Sequence, residues 1–458
     1  MKPETISSFS VQRARYPAFC FPNIYNAIAL SEESFFKEHK CKLSYVAFLL
    51  RNNKRTYILG NTEDIEKIKN SLLNKIIKKE DFIKNKHILF NRNKQTLLEF
   101  TRKNLTKKKL EKSTNQKLFN LLIDYYEKYK NFCSIIIPFI MIVNEELESE
   151  IKKRIKPCHE FLLKSPRLSY VSIFELEYFE KCSQIAHQLQ KKWGWIPFDY
   201  IGPDEWDKKY FLKKMGVDVE RIQTIKQTNT QLKINQKKAL KQYNGDTIRL
   251  VKDFHQLSIM QDERKKVTTL THTYLHNNLF EEISQRTGIQ IEHIMVMTPK
   301  EIMVALILKK KFDERRLDQR LENGLVLFHN NDFSLHQGDK IYQKFVDLLP
   351  EKKDIKGIIA SKGSVRGNVK VCLTSKDINK VKKGDILVAP MTTPDFVIAM
   401  NKAAGFITDE GGVTCHAAIV SREMKKPCIV GTLSATEILK DNDYIELNAN
   451  QGIIKKLS

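Results

Sequence analysis

Between Ala404 and Met424 the chain runs from an apolar, strand-like stretch (Ala404-Gly405-Phe406-Ile407) through Gly411-Gly412 into an amphipathic segment. That order of strand, glycine turn and helix restricts the fold more than any other feature of the sequence. It requires a buried strand that ends at a sharp turn and re-enters as a helix packed on the same core. Thr414 is placed to cap the helix, which would put Cys415 and His416 in its first turn. Backbone N–H groups there lack intrahelical partners, and the positive end of the helix dipole favours added negative charge. A neutral imidazole at such a place is a nucleophile whose phosphorylated product is stabilised by the surrounding donors. Taken alone, a single histidine beside glycines is more readily read as a structural residue.

Elsewhere the pattern changes along the chain. The runs 44–50 and 56–59 flank the polar turn Arg51-Asn52-Asn53-Lys54 and read as a hairpin. After Asn61, apolar residues recur at helical spacing, and from about 100 to 325 the pattern is predominantly helical. Ser172 is placed to cap a helix striped by Tyr178, Cys182, Ile185 and Leu189. Leu275, Leu279 and Ile283 form another stripe that Gly288 would stop, and Thr298-Pro299-Lys300-Glu301 has the form of a capping box. Residues 323–335 suggest a second hairpin, and the polar 351–357 a linker. The chain is thus expected to be multidomain α+β. A mixed α/β region would span 1–100, a mainly helical one 101–350, and a strand-rich one 351–458.

The formal net charge of +24 admits an anionic partner, but the excess is mostly lysine, and nucleic-acid readers lean on arginine. No Cys-x-x-Cys pair occurs among the 8 cysteines, which argues against zinc ribbons and dithiol redox motifs. The apolar run 133–143 is too short to span a bilayer, and the first residues lack a secretory apolar core. A cytoplasmic protein with reduced thiols is expected. His272 and His276 lie four apart, yet no third ligand is evident, and no metal site is assigned. Arg264, Lys265 and Lys266 read as a solvated helix face.

Four blocks, GIIASKGSVRGNVKV (357–371), KKGDILVAPMTTPDFVIAM (382–400), AAGFITDEGGVTCHAAIVSREMKKPCIVGT (403–432) and NDYIELNANQGII (442–454), carry a resemblance. Residues 357–454 resemble, almost end to end, the swivelling phosphohistidine domain of phosphoenolpyruvate-utilising enzymes. That domain is shared by phosphoenolpyruvate synthase, pyruvate phosphate dikinase, rifampicin phosphotransferase and enzyme I of the sugar phosphotransferase system. The resemblance implies a β/β/α domain in which His416 carries the phosphoryl group. It implies that Gly411, Gly412, Thr414 and Cys415 form the loop around it, and that Thr392, Thr393 and Pro394 form a second loop near the site. Two departures stand out: Lys425 or Lys426 occupies the place of a small Gly after the helix, and Glu410 that of a common Arg.

Before this segment no Gly-x-x-x-x-Gly-Lys-Ser/Thr loop occurs. The block 192–203 with Trp206, and that from Arg264 to Glu301, have a weaker resemblance to the helical domain preceding the carrier in rifampicin phosphotransferase. By that resemblance Trp193, Trp195 and Trp206 would line an acceptor pocket, although an aromatic loop can equally anchor packing. The expectation is a phosphotransferase subunit charged from ATP and Mg²⁺ on a separate ATP-grasp protein, passing the group to a small-molecule acceptor. A non-enzymatic phosphorelay carrier is the second reading and a basic nucleic-acid-binding protein the third.

Overall fold

β-Branched and aromatic residues around short polar turns pair as antiparallel ladders in the first half of the architecture. The structure is a computed structural model; it describes residues 9–15, 40, 43–51, 55–139, 144–165, 167, 168, 173, 177, 219–329, 332–347, 355–373, 375–392, 396–412, 415–432 and 434–457. Strands β2 (Tyr45–Arg51) and β3 (Arg55–Asn61) form the expected hairpin, with Leu50 opposite Thr56. The second hairpin, β4 (Gly324–His329) and β5 (Asp332–Gln337), joins the same sheet because β4 pairs with β2, Phe48 facing Val326. With β1 (Phe9–Arg15) the strand order is β1-β3-β2-β4-β5.

The helices between the hairpins bury their apolar stripes against one another. They include α1 (Thr62–Lys78), α2 (Phe82–Asn104), α3 (Asn115–Cys133) and α4 (Gly245–Tyr274). Helix α2 runs through residue 100. Asn61 caps α1 by accepting from the Asp64 N–H, and Arg249 donates to the last carbonyls of α1, Ile76 and Ile77, at 2.8 Å each. Tyr125, Tyr126 and Tyr129 of α3 are fully buried; Tyr125 donates to Thr271 of α4 at 3.0 Å, and the Tyr129 ring lies 4.9 Å from that of His272.

After α4 the chain makes a π turn over Leu275–Phe280 and continues as α5 (Glu281–Thr287). Leu275, Leu279 and Ile283 are buried on one face, and Gly288, at φ 74°, ends the helix in the left-handed region that glycine adopts without penalty. Helix α6 (Pro299–Leu306) opens with the expected reciprocal capping box between Thr298 and Glu301. Arg320, from α7 (Glu314–Asn323), donates to both Glu301 oxygens and to the Val296 carbonyl, so the cap is held from a distant helix. Burial opposes ionisation of Glu301, but the Arg320 hydrogen bonds prevail and hold its carboxyl below the usual range. Cys133, Ile135, Ile136, Ile137 and Phe139 are buried, as the segment's apolar character predicts. The helix expected after Ser172 lies outside the described residues.

The chain divides into two compact units, Met1–Gln12 with Tyr16–Phe345, and Arg13–Arg15 with Val346–Ser458. The second contains an eight-stranded mixed sheet. Its strands are β6 (Ile355–Lys356), β7 (Ile358–Ser361), β8 (Ser364–Val371), β9 (Ile386–Ala389), β10 (Gly405–Thr408), β11 (Cys428–Val430), β12 (Tyr444–Asn448) and β13 (Ile453–Lys456). The order is β6-β13-β12-β8-β9-β10-β11-β7. Residues 355 and 356 therefore belong to a strand paired with β13, not to the linker expected at 351–357; their alternating burial leaves Ile355 in the core.

Strands β8 to β11 run parallel in register, and β9, β10 and β11 are buried at every position. Continuous apolar runs of this kind belong to strands covered on both faces. Leu387, Phe406 and Cys428 pack with α8 (Val397–Lys402) and α9 (His416–Glu423) on one side. Ile386, Ile407 and Ile429 pack with α10 (Ala435–Ile438) and β12 on the other. The carboxyl ends of these four parallel strands thereby fall on one edge of the sheet.

Candidate functional site

That edge gathers the residues singled out from sequence. β9 leads into Pro390, Met391 and Thr392; β10 leads into Asp409, Glu410, Gly411 and Gly412; α9 begins at His416. In parallel sheets ligands bind at this edge because the connecting turns, freed from the ladder, expose backbone donors there. Thr392 Oγ1 lies 2.8 Å from His416 Nδ1, so the structure brings together two residues 24 positions apart in sequence. Thr392 is buried and His416 partly so, with Nε2 of the ring covered.

The hydrogen bond to Nδ1 bears on which nitrogen can act. When Nδ1–H donates to the threonine hydroxyl, the Nε2 lone pair is the one left for attack. A hydroxyl that donates to Nδ1 instead would place the proton on Nε2 and silence it.

The helix starts one residue later than expected. Cys415, with φ −72° and ψ 166°, is the N-cap, and its thiol does not cap the helix; Thr414 lies outside the described residues. The Cys415 N–H donates to the Gly412 carbonyl at 3.0 Å, closing a turn just before the helix, and Ile419 N–H makes the first helical bond to the Cys415 carbonyl. His416 is consequently the first helical residue, closer to the dipole end than a Thr414 cap would place it.

Gly411 sits at φ 110°, and a Cβ there would lie 2.7 Å from Cys415 Sγ. Both the backbone angle and the close approach of the cysteine require glycine. Gly412 has open space around it. Thr393 and Pro394 lie outside the described residues, as do Trp193, Trp195 and Trp206, so the expected acceptor pocket receives no structural description.

The Lys425–Lys426 turn noted above as a departure, and Arg422 before it, serve the packing of α8 and α9. Lys426 donates to the carbonyls of Met400, Asn401 and Ala403 at 2.6–2.9 Å, capping the end of α8; burial pulls its ammonium below the usual lysine range. Lys425 adopts φ 52°, the left-handed conformation that accounts for a glycine being usual at this turn. Arg422 is half-buried and donates to the Ala360 carbonyl. Burial pushes the thiol of Cys428 up to about 12, so it stays protonated near neutral pH. Among the described residues no group of three or more His, Cys, Asp or Glu side chains is arranged to hold a metal ion, and no helix is long and apolar enough to cross a membrane.

In the helical unit, His272 is enclosed by aromatic rings and held neutral, its imidazole pushed down to about 3 by burial and by the nearby Arg264. His276, also buried, has its Nδ1 2.8 Å from Asn277 Oδ1. Arg264 is only partly exposed, so the solvated face expected for 264–266 is solvated mainly at Lys265.

Residues 381–452 match the family described as PEP-utilising enzyme, mobile domain. A probable phosphoenolpyruvate synthase of Methanothermobacter thermautotrophicus is 54% identical over 100 residues, which is 22% of this chain and 15% of that protein. The phosphoenolpyruvate synthase of Pyrococcus furiosus is 51% identical over 102 residues, 22% of this chain and 12% of that one. An uncharacterised phosphotransferase of Bacillus subtilis is 40% identical over 102 residues, 22% of this chain and 12% of its own length. The match thus covers only about one-eighth to one-seventh of the length of these relatives. On geometry and similarity together, the segment that holds Thr392, Gly411 and His416 is a mobile domain of the phosphoenolpyruvate-utilising enzyme family.

Proposed function

We propose that this chain is a phosphotransferase subunit in which His416 Nε2 accepts a phosphoryl group and passes it to a small-molecule acceptor. The observation that carries this reading is the Thr392 Oγ1 to His416 Nδ1 contact at the first residue of α9. In this reading Nδ1–H donates to Thr392 Oγ1, which leaves Nε2 as the nucleophilic nitrogen. Once Nε2 is phosphorylated, the imidazolium keeps its Nδ1 proton on the threonine oxygen, and the first-turn N–H groups favour the added negative charge. Because Nε2 is covered in this structure, attack on a donor requires the ring to become accessible.

The donor system in this reading is ATP with Mg²⁺, held by a separate ATP-grasp protein. Both phosphoanhydride bonds of ATP break. AMP leaves, one phosphoryl group stays on Nε2, and the other departs as inorganic phosphate with the oxygen of a consumed water. The acceptor would bind in the helical region. Similarity to phosphoenolpyruvate synthases supports the chemistry of the carrier, and the relatives' other segments supply no information about this chain's acceptor.

The test is incubation of the full chain with ATP and Mg²⁺, with and without a candidate ATP-grasp partner. The expected result is an acid-labile mass gain of one phosphoryl group and release of AMP only when the partner is present, abolished by His416→Ala. Rapid labelling by ATP alone would overturn the division between two proteins. Labelling that survives His416→Ala would overturn the carrier.

A further inference from the structure

Asp409 takes no part in the chemistry above, yet it is only 3% exposed and stands where β10 gives way to the glycine turn. Its Oδ1 lies 3.1 Å from Thr432 Oγ1 and 3.1 Å from the Thr436 N–H, and its Oδ2 accepts from Thr436 Oγ1 at 2.6 Å. Thr432 Oγ1 is also 3.1 Å from the Thr408 carbonyl, so its single hydrogen is shared between two acceptors. A carboxylate buried among three donors is costly to place and is retained only if those donors satisfy it. Here they tie the exit of β10 to the turn after β11 and to the start of α10.

The main chain of the same two residues reaches in the other direction. Asp409 N–H donates to the Ala389 carbonyl at 3.1 Å and Glu410 N–H to that of Pro390 at 2.9 Å. These residues lie three and two positions before Thr392, the one that meets His416. The Thr392 loop, the glycine turn and the β11–α10 turn are therefore all referenced to one short stretch. The Gly411 carbonyl also lies 3.1 Å from where a Cβ on Gly431 would stand, leaving the turn little room to shift.

We infer that Asp409, with Thr432 and Thr436, is a positioning residue for phosphoryl transfer: it sets the distance and orientation of Thr392 relative to His416. This rests on the carrier role of His416 given above. Fixing that pair fixes the imidazole tautomer, and small misplacements of a reacting group lower rates steeply. Asp409→Asn retains one acceptor oxygen but presents an NH₂ group where an oxygen stood. Thr436→Val removes one donor without changing side-chain volume greatly, and Thr436→Ser keeps it.

The experiment uses the full chain and potassium phosphoramidate, a small donor that needs no partner protein. The P–N bond of the donor breaks, the bond from phosphorus to His416 Nε2 forms, and ammonia leaves with the proton. Initial rates of acid-labile labelling at His416 are read by mass spectrometry, and the ring tautomer by ¹⁵N resonances of the same residue. Asp409→Asn and Thr436→Val are expected to label about tenfold more slowly and to shift the His416 nitrogens toward mixed tautomers. Thr436→Ser should match the parent chain. Lys426→Met, which releases the α8 carbonyls, should lower the melting temperature without moving the His416 signals. Parental rates and tautomer in both Asp409→Asn and Thr436→Val would overturn the inference, as would an equal slowing in Lys426→Met. If the parent chain takes no label at His416, the carrier reading itself fails and this inference falls with it; if only the variants are unaltered, the carrier reading stands.

Discussion

His272 and His416 are both helical histidines, one in each unit, and the structure treats them in opposite ways. His272 is 5% exposed, lies against the rings of Tyr125 and Tyr129, and is held neutral down to about pH 3. His416 occupies the first residue of α9, partly buried, with Nδ1 on a threonine hydroxyl. Burial among aromatic rings keeps the His272 imidazole neutral and makes it part of the packed core. At the start of α9 the His416 ring instead meets a hydroxyl, Thr392 Oγ1, at its Nδ1. Residue type alone therefore says little about chemistry; the donors and rings around the imidazole decide it.

The largest effect expected from this contrast concerns acid. The unfolded chain protonates His272 near the ordinary 6.5, whereas the folded unit keeps it neutral to about 3. Stability from this residue is thus fully present above pH 6.5 and lost as pH falls toward 3, by up to about 5 kcal/mol over the whole interval. Denaturant titrations at several pH values should show a shallower acid slope in His272→Phe. Parallel slopes in the two proteins would break the contrast at its structural end.

Next in size is Arg320→Met, which strips both hydrogen bonds from a largely buried Glu301 and frees the Val296 carbonyl. A loss of about 3 kcal/mol is expected in urea unfolding of the helical unit, because a partner removed from a buried pair leaves an uncompensated charge. Labelling of His416 should be unchanged. Thr392→Val sharpens the other side: phosphorylation of His416 should slow by roughly 10- to 100-fold, corresponding to about 1.4–2.7 kcal/mol, while Thr392→Ser should stay near the parent rate. The smallest effect is Lys425→Gly, expected to raise stability by about 1 kcal/mol by relieving the left-handed backbone at φ 52°. A drop in melting temperature would show that the lysine side chain contributes more than its backbone costs.

The parts legible in the sequence were those set by local chemistry. The two hairpins, the Thr298–Glu301 box, the Gly288 stop and the strand–glycine–helix order around His416 depend on neighbours within a few residues. Pairing of β2 with β4 was not legible, since nothing in either run names a partner almost 280 residues away. Nor was Arg320, whose role lies in a cap formed 19 positions earlier. The one-residue error in the start of α9 has a plain cause. Threonine is the better capping residue by side chain, but the turn closed by Cys415 N–H onto Gly412 delays the helix. Asp409 went unremarked because an acid after a strand is ordinarily solvated, and its three donors come from residues 23 to 27 positions downstream.

The most direct measurement is ³¹P and ¹⁵N NMR of the phosphorylated full chain, locating the phosphoryl group atom by atom. A single Nε2-phosphohistidine at residue 416, with its Nδ1 still protonated, is the predicted result. A group bonded to Nδ1 of that ring, to Thr414, to Cys415 or to any other histidine would contradict it.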